Sequence, residues 1–461
     1  MKFKTIILII LFFSMISFNG CGKKKYSFKT FTYNFKKLEL AMNPIGFYRD
    51  KNDDLNVQGI KISSLAEKYG TPLFVYDAGL MKERYDVFLD TVKEVKGNIH
   101  YAVKANDALS IISYFAKLGC GADIVSIGEF EKCVAAGISP QKIIFSGVGK
   151  NKDEMEIALK NNVLQFNIES EEELNDISEI SSRLKITANI CLRVNPDIAP
   201  KTHKKISTGE KETKFGIDLQ NVKSIYKKLH QLEYINPVGL GVHIGSQIFD
   251  FNFFYQAYLN LKELADDLKF NGYKVPTLDL GGGIGIHYNN SLKPDFVSYK
   301  KIILDLFKDS DYQLSFEPGR SLIAEAGVLI TKVIRNKKTK DKHFIIVDAA
   351  MNNLIRPTLY DAYHEIEPIK KTSIHKVVAD IVGPICETGD FLALDRQINE
   401  VEGNDLLAIR TTGAYSSVMR SNYNARKDAI EIMVYNEKDF QIKKNETIKD
   451  IISKEKIIEF D

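Results

Sequence analysis

Cysteine is scarce in this chain of 461 residues. The five present, Cys21, Cys120, Cys133, Cys191 and Cys386, include no close pair. That excludes a disulfide framework and a structural zinc site. An excess of one charge is also missing: 63 basic and 60 acidic residues leave a formal net charge of +3. No basic stripe with interleaved aromatics is present, so nucleic acid is not an expected partner. No histidine has further ligands at suitable spacing, so no metal is expected either. Asn-Gly and similar turn signals are rare, which leaves the topology of any all-β region unassigned.

What is there is globular in character. An apolar content of 44% with 27% charged residues supports a real core and argues against disorder. The length exceeds one ordinary domain, so two of unequal size are expected. The N-terminus is open to two readings. Lys2 and Lys4 precede an apolar stretch from Ile6 to Phe18, and Gly20-Cys21 follows. That pattern resembles a secretion signal with lipoprotein-type processing, which would give an N-terminal membrane tether. The run is short for a membrane span. Phe18 and Asn19 are poor neighbours for such a cysteine, however, and Met42 reads like the start of a soluble protein. An over-extended start would then leave a cytoplasmic chain.

Eight short apolar runs succeed one another at Ile99–Val103, Ala122–Ser126, Ile143–Ser146, Leu164–Ile168, Ala188–Val194, Gly239–Ile244, Thr277–Leu280 and Gln313–Phe316. Helical patterns separate most of them, as at Ala108–Leu118, Glu129–Ala136 and Lys152–Lys160. Near-continuous apolar strands covered on both faces, alternating with helices, predict an α/β fold. Eight in a row favour a closed (β/α)8 TIM-type barrel over an open doubly wound sheet. From Val328 the long helical connectors mostly disappear, which predicts a second, mostly β domain. The boundaries follow: residues 1–41 as leader, 42–70 as a segment packing on the β domain, 71–320 as barrel and 321–461 as β domain.

Side chains just past each strand's C-terminal end converge on one mouth of such a barrel. Here they are Lys104, Ser126, Gly147, Arg193, His243, Gly281 and Glu317. Small and apolar residues surround Lys104, and partial burial is expected to lower its pKa and suit it to Schiff-base chemistry with an aldehyde cofactor. Gly281, Gly282, Gly283 and Gly285 could hold phosphate on backbone amides, or simply make a tight turn. His243 could stack on a cofactor ring or serve as a structural hydrogen-bonder. Glu317 could face a pyridine nitrogen across the barrel, or pair with Arg320.

Taken together, Tyr101-Ala-Val-Lys-Ala-Asn106, Val242-His-Ile-Gly-Ser-Gln247, Asp279-Leu-Gly-Gly-Gly-Ile-Gly285 and Glu317-Pro-Gly-Arg320 closely resemble the diaminopimelate decarboxylase family, within the alanine-racemase-like and ornithine-decarboxylase-like pyridoxal phosphate enzymes. Asn352–Tyr360, Gly383–Glu387, Gly413–Tyr415 and Met419–Arg426 extend the resemblance through the second domain. It implies pyridoxal 5'-phosphate as cofactor, with Lys104 bonded to it. His243, Gly281, Gly282, Gly283, Gly285, Glu317, Gly319, Arg320 and Tyr423 would contact it. Arg320, Arg356, Tyr360, Glu387 and Tyr423 would receive a small amino acid substrate, and Cys386 would return a proton to it. It further implies a homodimer with shared sites, Cys386 and Glu387 coming from the partner. The implied reaction is decarboxylation of meso-2,6-diaminopimelate to L-lysine, the two arginines suiting its second carboxylate. Decarboxylation of ornithine, arginine or a carboxylated polyamine on the same scaffold is the alternative.

Overall fold

The computed structural model describes residues 44–460, apart from 199, 201–205, 207, 210–212 and 290–293. The expected leader, residues 1–41, therefore lies outside the described residues. Among those described, no helix is long and apolar enough to cross a membrane.

The eight expected barrel strands are all present: Gly97–Ala102, Gly121–Ile124, Ile143–Phe145, Gln165–Ile168, Ala188–Asn195, Ile235–Val242, Thr277–Asp279 and Gln313–Phe316. Each pairs in parallel with the next, and the eighth pairs with the first through Leu314 and Gly97, which closes the cylinder. Ile217–Asp218 adds a two-residue edge to the fifth strand. The helices between strands follow local chemistry. Leu109–Leu118 buries Ile111, Ile112 and Phe115 and stops at Gly119, whose φ of +107° suits a residue without Cβ. Lys152–Lys160 starts from a capping box between Asn151 and Glu154. The period of two within the fourth strand, Gln-Phe-Asn-Ile, places Phe166 and Ile168 in the hydrophobic core, while Gln165 and Asn167 carry the interior hydrogen bonds.

The second sheet runs in the order Phe391–Asn399, Lys376–Val382, His343–Val347, Gly327–Lys338, Leu73–Asp77, Ile430–Tyr435 and Lys438–Gln441. Leu406–Ile409 also pairs with Gly327–Lys338 and carries Ile366–Pro368 on its other side. One boundary is corrected by this sheet. Leu73–Asp77, assigned to the barrel by a start at residue 71, lies instead between Gly327–Lys338, to which it runs antiparallel, and Ile430–Tyr435, to which it runs parallel. All five of its residues are buried. A strand buried on both faces looks alike in either domain, so its own pattern could not assign it.

Residues before this strand lie under the same sheet. Leu55, Val57, Ile62, Leu65 and Ala66 pack with Val328, Ile330, Ala408, Ile432 and Val434 in a core of their own. Ile62, Leu65 and Ala66 fall on one face of the helix Ile62–Tyr69, the spacing an amphipathic helix requires.

Candidate active site

The first barrel strand ends at Ala102 and breaks into one 3-10 turn, Val103–Ala105, which sets Lys104 at the mouth. Buried Asn106 anchors that turn. Its carbonyl accepts from Tyr101 Oη at 2.9 Å, and its amide donates to Gly413 O at 2.9 Å. Tyr415 N donates to Ala105 O at 2.8 Å, so the lysine's turn is fastened to the second domain on two sides. Two adjoining hollows, of about 600 and 460 Å3, share Lys104, Thr208 and His243 in their walls. Their size suits a cofactor with a small substrate.

Lys104 Nζ lies 2.7 Å from Asp123 Oδ2, and the lysine side chain is 34% exposed while the aspartate's is fully buried. The expectation of a lowered lysine pKa is overturned here. Burial works against the ammonium, but the Asp123 and Glu317 carboxylates more than offset it, and the net shift is upward. Asp123 was not anticipated as a site residue; a buried acid in the apolar run Gly-Ala-Asp-Ile was its only sequence signal. Among the described residues, its second oxygen, Oδ1, has no hydrogen-bond partner.

Glu317 does not pair with Arg320. It sits at the end of the eighth strand with Asn167 Nδ2 3.4 Å from Oε1, while the same amide reaches Asp279 Oδ2 at 3.2 Å and Ser146 Oγ at 3.0 Å. Burial, then the Asp123 and Asp279 carboxylates, push Glu317 well above the usual carboxylate range. Two buried acids, Asp123 and Glu317, thus act on one ammonium, and a third, Asp279, acts on Glu317. A cation brought in beside Glu317, such as a protonated ring nitrogen, is the partner this donor set lacks.

The glycine loop follows the seventh strand. Gly281 has φ +62° and Gly283 φ +111°. A Cβ on Gly282 would lie 2.3 Å from Glu317 O, and one on Gly283 would lie 2.3 Å from Gly245 O. The bare backbone is therefore a packing requirement as well as a way to approach an anion. Gln247 clamps the loop's exit through Ile286, accepting from its N–H at 2.9 Å and donating to its O at 3.1 Å. His243 Nδ1 accepts from Gly282 N–H at 3.2 Å. Burial, with Arg193 and Lys104 nearby, holds His243 well below the ordinary imidazole range, so its ring is neutral. These features fit pyridoxal 5'-phosphate: a lysine at the mouth, a neutral ring beside it, an acid opposite and a glycine loop of bare backbone.

Arg320 and Arg356 line the same hollow as Lys104, with Tyr360 beside them. They are 7% and 5% exposed. Arg320 donates to Ser246 Oγ from Nε at 3.2 Å and from Nη2 at 3.0 Å, and to Tyr288 Oη from Nη1 at 2.5 Å. Arg356 lies 4.3 Å from the centroid of the Tyr288 ring and contacts His364. Among the described residues, neither guanidinium has a carboxylate partner. Burial, with Arg320 nearby, works against the Arg356 charge. Gly319 also belongs to the mouth: a Cβ there would crowd Ala102 and Ala105 on either side of the lysine's strand end.

Other mouth positions are structural in this chain. Ser126 caps the helix Ile127–Ala135 by accepting from Glu129 N–H, and Arg193 pairs with Glu169 at 3.0 Å. Of the expected site residues, Gly281, Gly282, Gly283, Gly285 and Gly319 line neither hollow, and three side chains do not reach them either. Cys386 and Glu387 are exposed, Tyr423 is 45% exposed, and none lines either cavity. They do belong to one edge, because Cys386 N–H donates to Asn424 Oδ1 at 2.9 Å and joins their two loops. Tyr288 and His364 were missed, the former by lying beyond the glycine motif and the latter by standing outside every strand end.

Residues 79–324 match the family described as "Pyridoxal-dependent decarboxylase, pyridoxal binding domain". The chain is 44% identical over 415 residues to the diaminopimelate decarboxylase of Zymomonas mobilis, covering 89% of this chain and 98% of that protein. It is 42% identical over 411 residues to that of Pseudomonas aeruginosa, again covering 89% and 98%. The solved structure of diaminopimelate decarboxylase from Helicobacter pylori complexed with L-lysine superposes with a TM-score of 0.81 at 40% identity, covering 84% of this chain and 98% of that one.

Proposed function

The chain belongs to the diaminopimelate decarboxylase family of pyridoxal-dependent decarboxylases, and from that premise we propose that it converts meso-2,6-diaminopimelate to L-lysine and carbon dioxide with pyridoxal 5'-phosphate. The observation that carries the substrate is the pair Arg320 and Arg356, buried in the hollow that holds Lys104 and without a carboxylate partner among the described residues. Sequestering a cation costs on the order of several kcal/mol unless an anion offsets it. A substrate whose far end carries a carboxylate supplies that anion. Ornithine and lysine have none to offer once their single carboxylate is committed to the chemistry.

Pyridoxal 5'-phosphate, when bound, supplies an electron-poor ring that takes up the electron pair left behind by carbon dioxide. The protein's part is position and protons. Lys104 is poised as an ammonium beside Asp123, with Glu317 nearby, so it must release a proton before its Nζ can act as a nucleophile. Glu317 would pair with the ring nitrogen, neutral His243 would pack on the ring, and Gly319 would admit its edge. The loop of Gly281, Gly282, Gly283 and Gly285 would take the phosphate against its bare backbone, although the N–H groups of Gly281, Gly282 and Gly285 already donate within the protein. Arg320 serves both cofactor and substrate. Tyr360 completes the distal-carboxylate site with Arg356.

Loss of carbon dioxide leaves a carbon that needs one proton, and Cys386 Sγ donates it. Because Cys386, Glu387 and Tyr423 share an exposed edge away from their own chain's hollow, a second copy would present them in a homodimer, Glu387 receiving the distal ammonium and Tyr423 the cofactor. A cytoplasmic site of action is part of the same proposal, since substrate and product are both amino acids of that compartment.

The test is carbon dioxide release from meso-diaminopimelate, L-lysine, L-ornithine, L-arginine and a carboxylated polyamine. Release from the first alone is expected. Faster release from any of the others would replace the substrate assignment.

A further inference from the structure

His364 lies just beyond the short helix Arg356–Tyr360 and is completely buried. Its Nδ1 is 2.9 Å from Arg410 O, and its Nε2 is 3.0 Å from Arg356 Nη1. A carbonyl can only accept, so Nδ1 carries the hydrogen. A guanidinium can only donate, so Nε2 presents its lone pair. Both contacts are satisfied by one neutral tautomer and by no other state of the ring. Burial, then the Arg356 charge, push the His364 pKa down to about 3, which agrees.

The environment holds that tautomer rigidly. Arg410 is itself tied to Glu367, with Nε 2.6 Å from Oε1. Arg396 Nη1 donates to His364 O at 2.6 Å. The Tyr288 ring meets the imidazole edge-on at 5.0 Å and lies 4.3 Å from the Arg356 guanidinium carbon. Tyr288 Oη also accepts from Arg320 Nη1. One imidazole and one phenol therefore fix both arginines. Among the described residues, Arg356 Nε has no hydrogen-bond partner. An unmet donor on an immobilised cation is a demand for an anion.

We propose that His364 is a positioning residue that fixes Arg356 through Nη1, so that the guanidinium's remaining donors are committed to the carboxylate at the far end of the ligand. This rests on the substrate reading above and deepens it. The specificity it confers is for a ligand that keeps a carboxylate after the reaction, against an otherwise equal diamine.

The test is calorimetric binding of L-lysine and of 1,5-diaminopentane to the pyridoxal-phosphate-loaded enzyme, with KM and kcat for meso-diaminopimelate beside it. His364→Asn keeps a donor for Arg410 O but is too short to reach Arg356. We expect it to weaken L-lysine about tenfold or more and leave the diamine within about twofold. KM for meso-diaminopimelate should rise by a similar factor with kcat within about threefold. His364→Gln, whose amide oxygen reaches the Nε2 position, should recover most of the loss. An unchanged L-lysine to diamine ratio in His364→Asn overturns the proposal, and so does an equal loss of both ligands, which is what a merely structural histidine would give. If His364→Asn does not fold, His364→Gln decides alone. It must then keep the L-lysine preference, and loss of that preference would overturn the proposal. An unsubstituted enzyme that neither binds L-lysine nor decarboxylates meso-diaminopimelate would overturn the substrate reading instead.

Discussion

Gly282→Ala adds one methyl group where there is no room for it. Its Cβ would lie 2.3 Å from Glu317 O and 3.1 Å from Glu317 C. Neither atom can swing aside, because both belong to the backbone of the residue just past the eighth strand. Relief requires the glycine loop and that strand end to part by about 1 Å, a strain that in packed interiors costs about 1–3 kcal/mol. The movement also stretches the 3.2 Å bond from Gly282 N–H to His243 Nδ1, so loop, ring and acid are displaced together. At about 1.4 kcal/mol per tenfold, and with misplacement of about 1 Å able to cost about a hundredfold, cofactor affinity should fall about 10–100-fold. Gly149→Ala is the matched control. Gly149 lines the adjoining hollow, and a Cβ there would meet nothing within 4 Å, so affinity should stay within about twofold. Titrating cofactor-free enzyme with pyridoxal phosphate, followed by visible absorbance and by thermal melting, reads both. A Gly282→Ala enzyme that binds like the parent and melts with it would refute the crowding argument and the cradle together.

Lys104→Ala should abolish the imine absorbance and nearly all turnover; retention of both removes this lysine from the scheme. Cys386→Ala should lower turnover while leaving cofactor affinity unchanged, and mixing it with Lys104→Ala subunits should restore about a quarter of parental activity if sites are shared across a twofold dimer, whereas no recovery places Cys386 with its own chain's hollow. Lys150→Met removes a fully buried ammonium that is 2.6 Å from Glu173 and donates to Asn167 O at 2.8 Å; it should cost about 3–5 kcal/mol in denaturant unfolding, and a loss under about 1 kcal/mol would show that Glu173 simply takes up a proton. Burial lowers the pKa of His100 from its ordinary value to about 4, so below about 6.5 the unfolded chain binds a proton that the folded one refuses. His100 should therefore contribute full stability above about pH 6.5 and lose about 1.4 kcal/mol per unit as pH falls from there towards about 4. His100→Leu should show a shallower slope across that window, and an unaltered slope would mean the ring is protonated in the fold.

The barrel was legible because each of its strands is a short apolar run that a single residue, at its end, turns into chemistry. Lys104, His243, Gly281 and Glu317 could be named from position alone; the structure gathers Lys104, His243 and Glu317 at one mouth, with Gly281 against His243. The second sheet was less legible. Lys376–Val382 pairs with Phe391–Asn399 across two register shifts and exposes Val378, so its alternation is blurred. Leu73–Asp77 is buried throughout, with no alternation to mark which sheet will receive it. Asp123, Tyr288 and His364 were hidden for a different reason. They act on other side chains, and a contact between residues 356 and 364, or 104 and 123, exists only once the chain has closed. The direction of the Lys104 shift was misjudged on the same ground: small apolar neighbours in sequence suggested burial alone, while the decisive charges came from other strands.

The strand Leu73–Asp77 sets an order of events during synthesis. The ribosome releases it ahead of every barrel strand, yet both of its neighbours, Gly327–Lys338 and Ile430–Tyr435, emerge after the last one. The barrel can close while this piece waits unclaimed, with two bare edges that any other strand could borrow. The carboxy-terminal half released by itself would have a gap through its middle, and an added peptide spanning residues 71–78 should fill it.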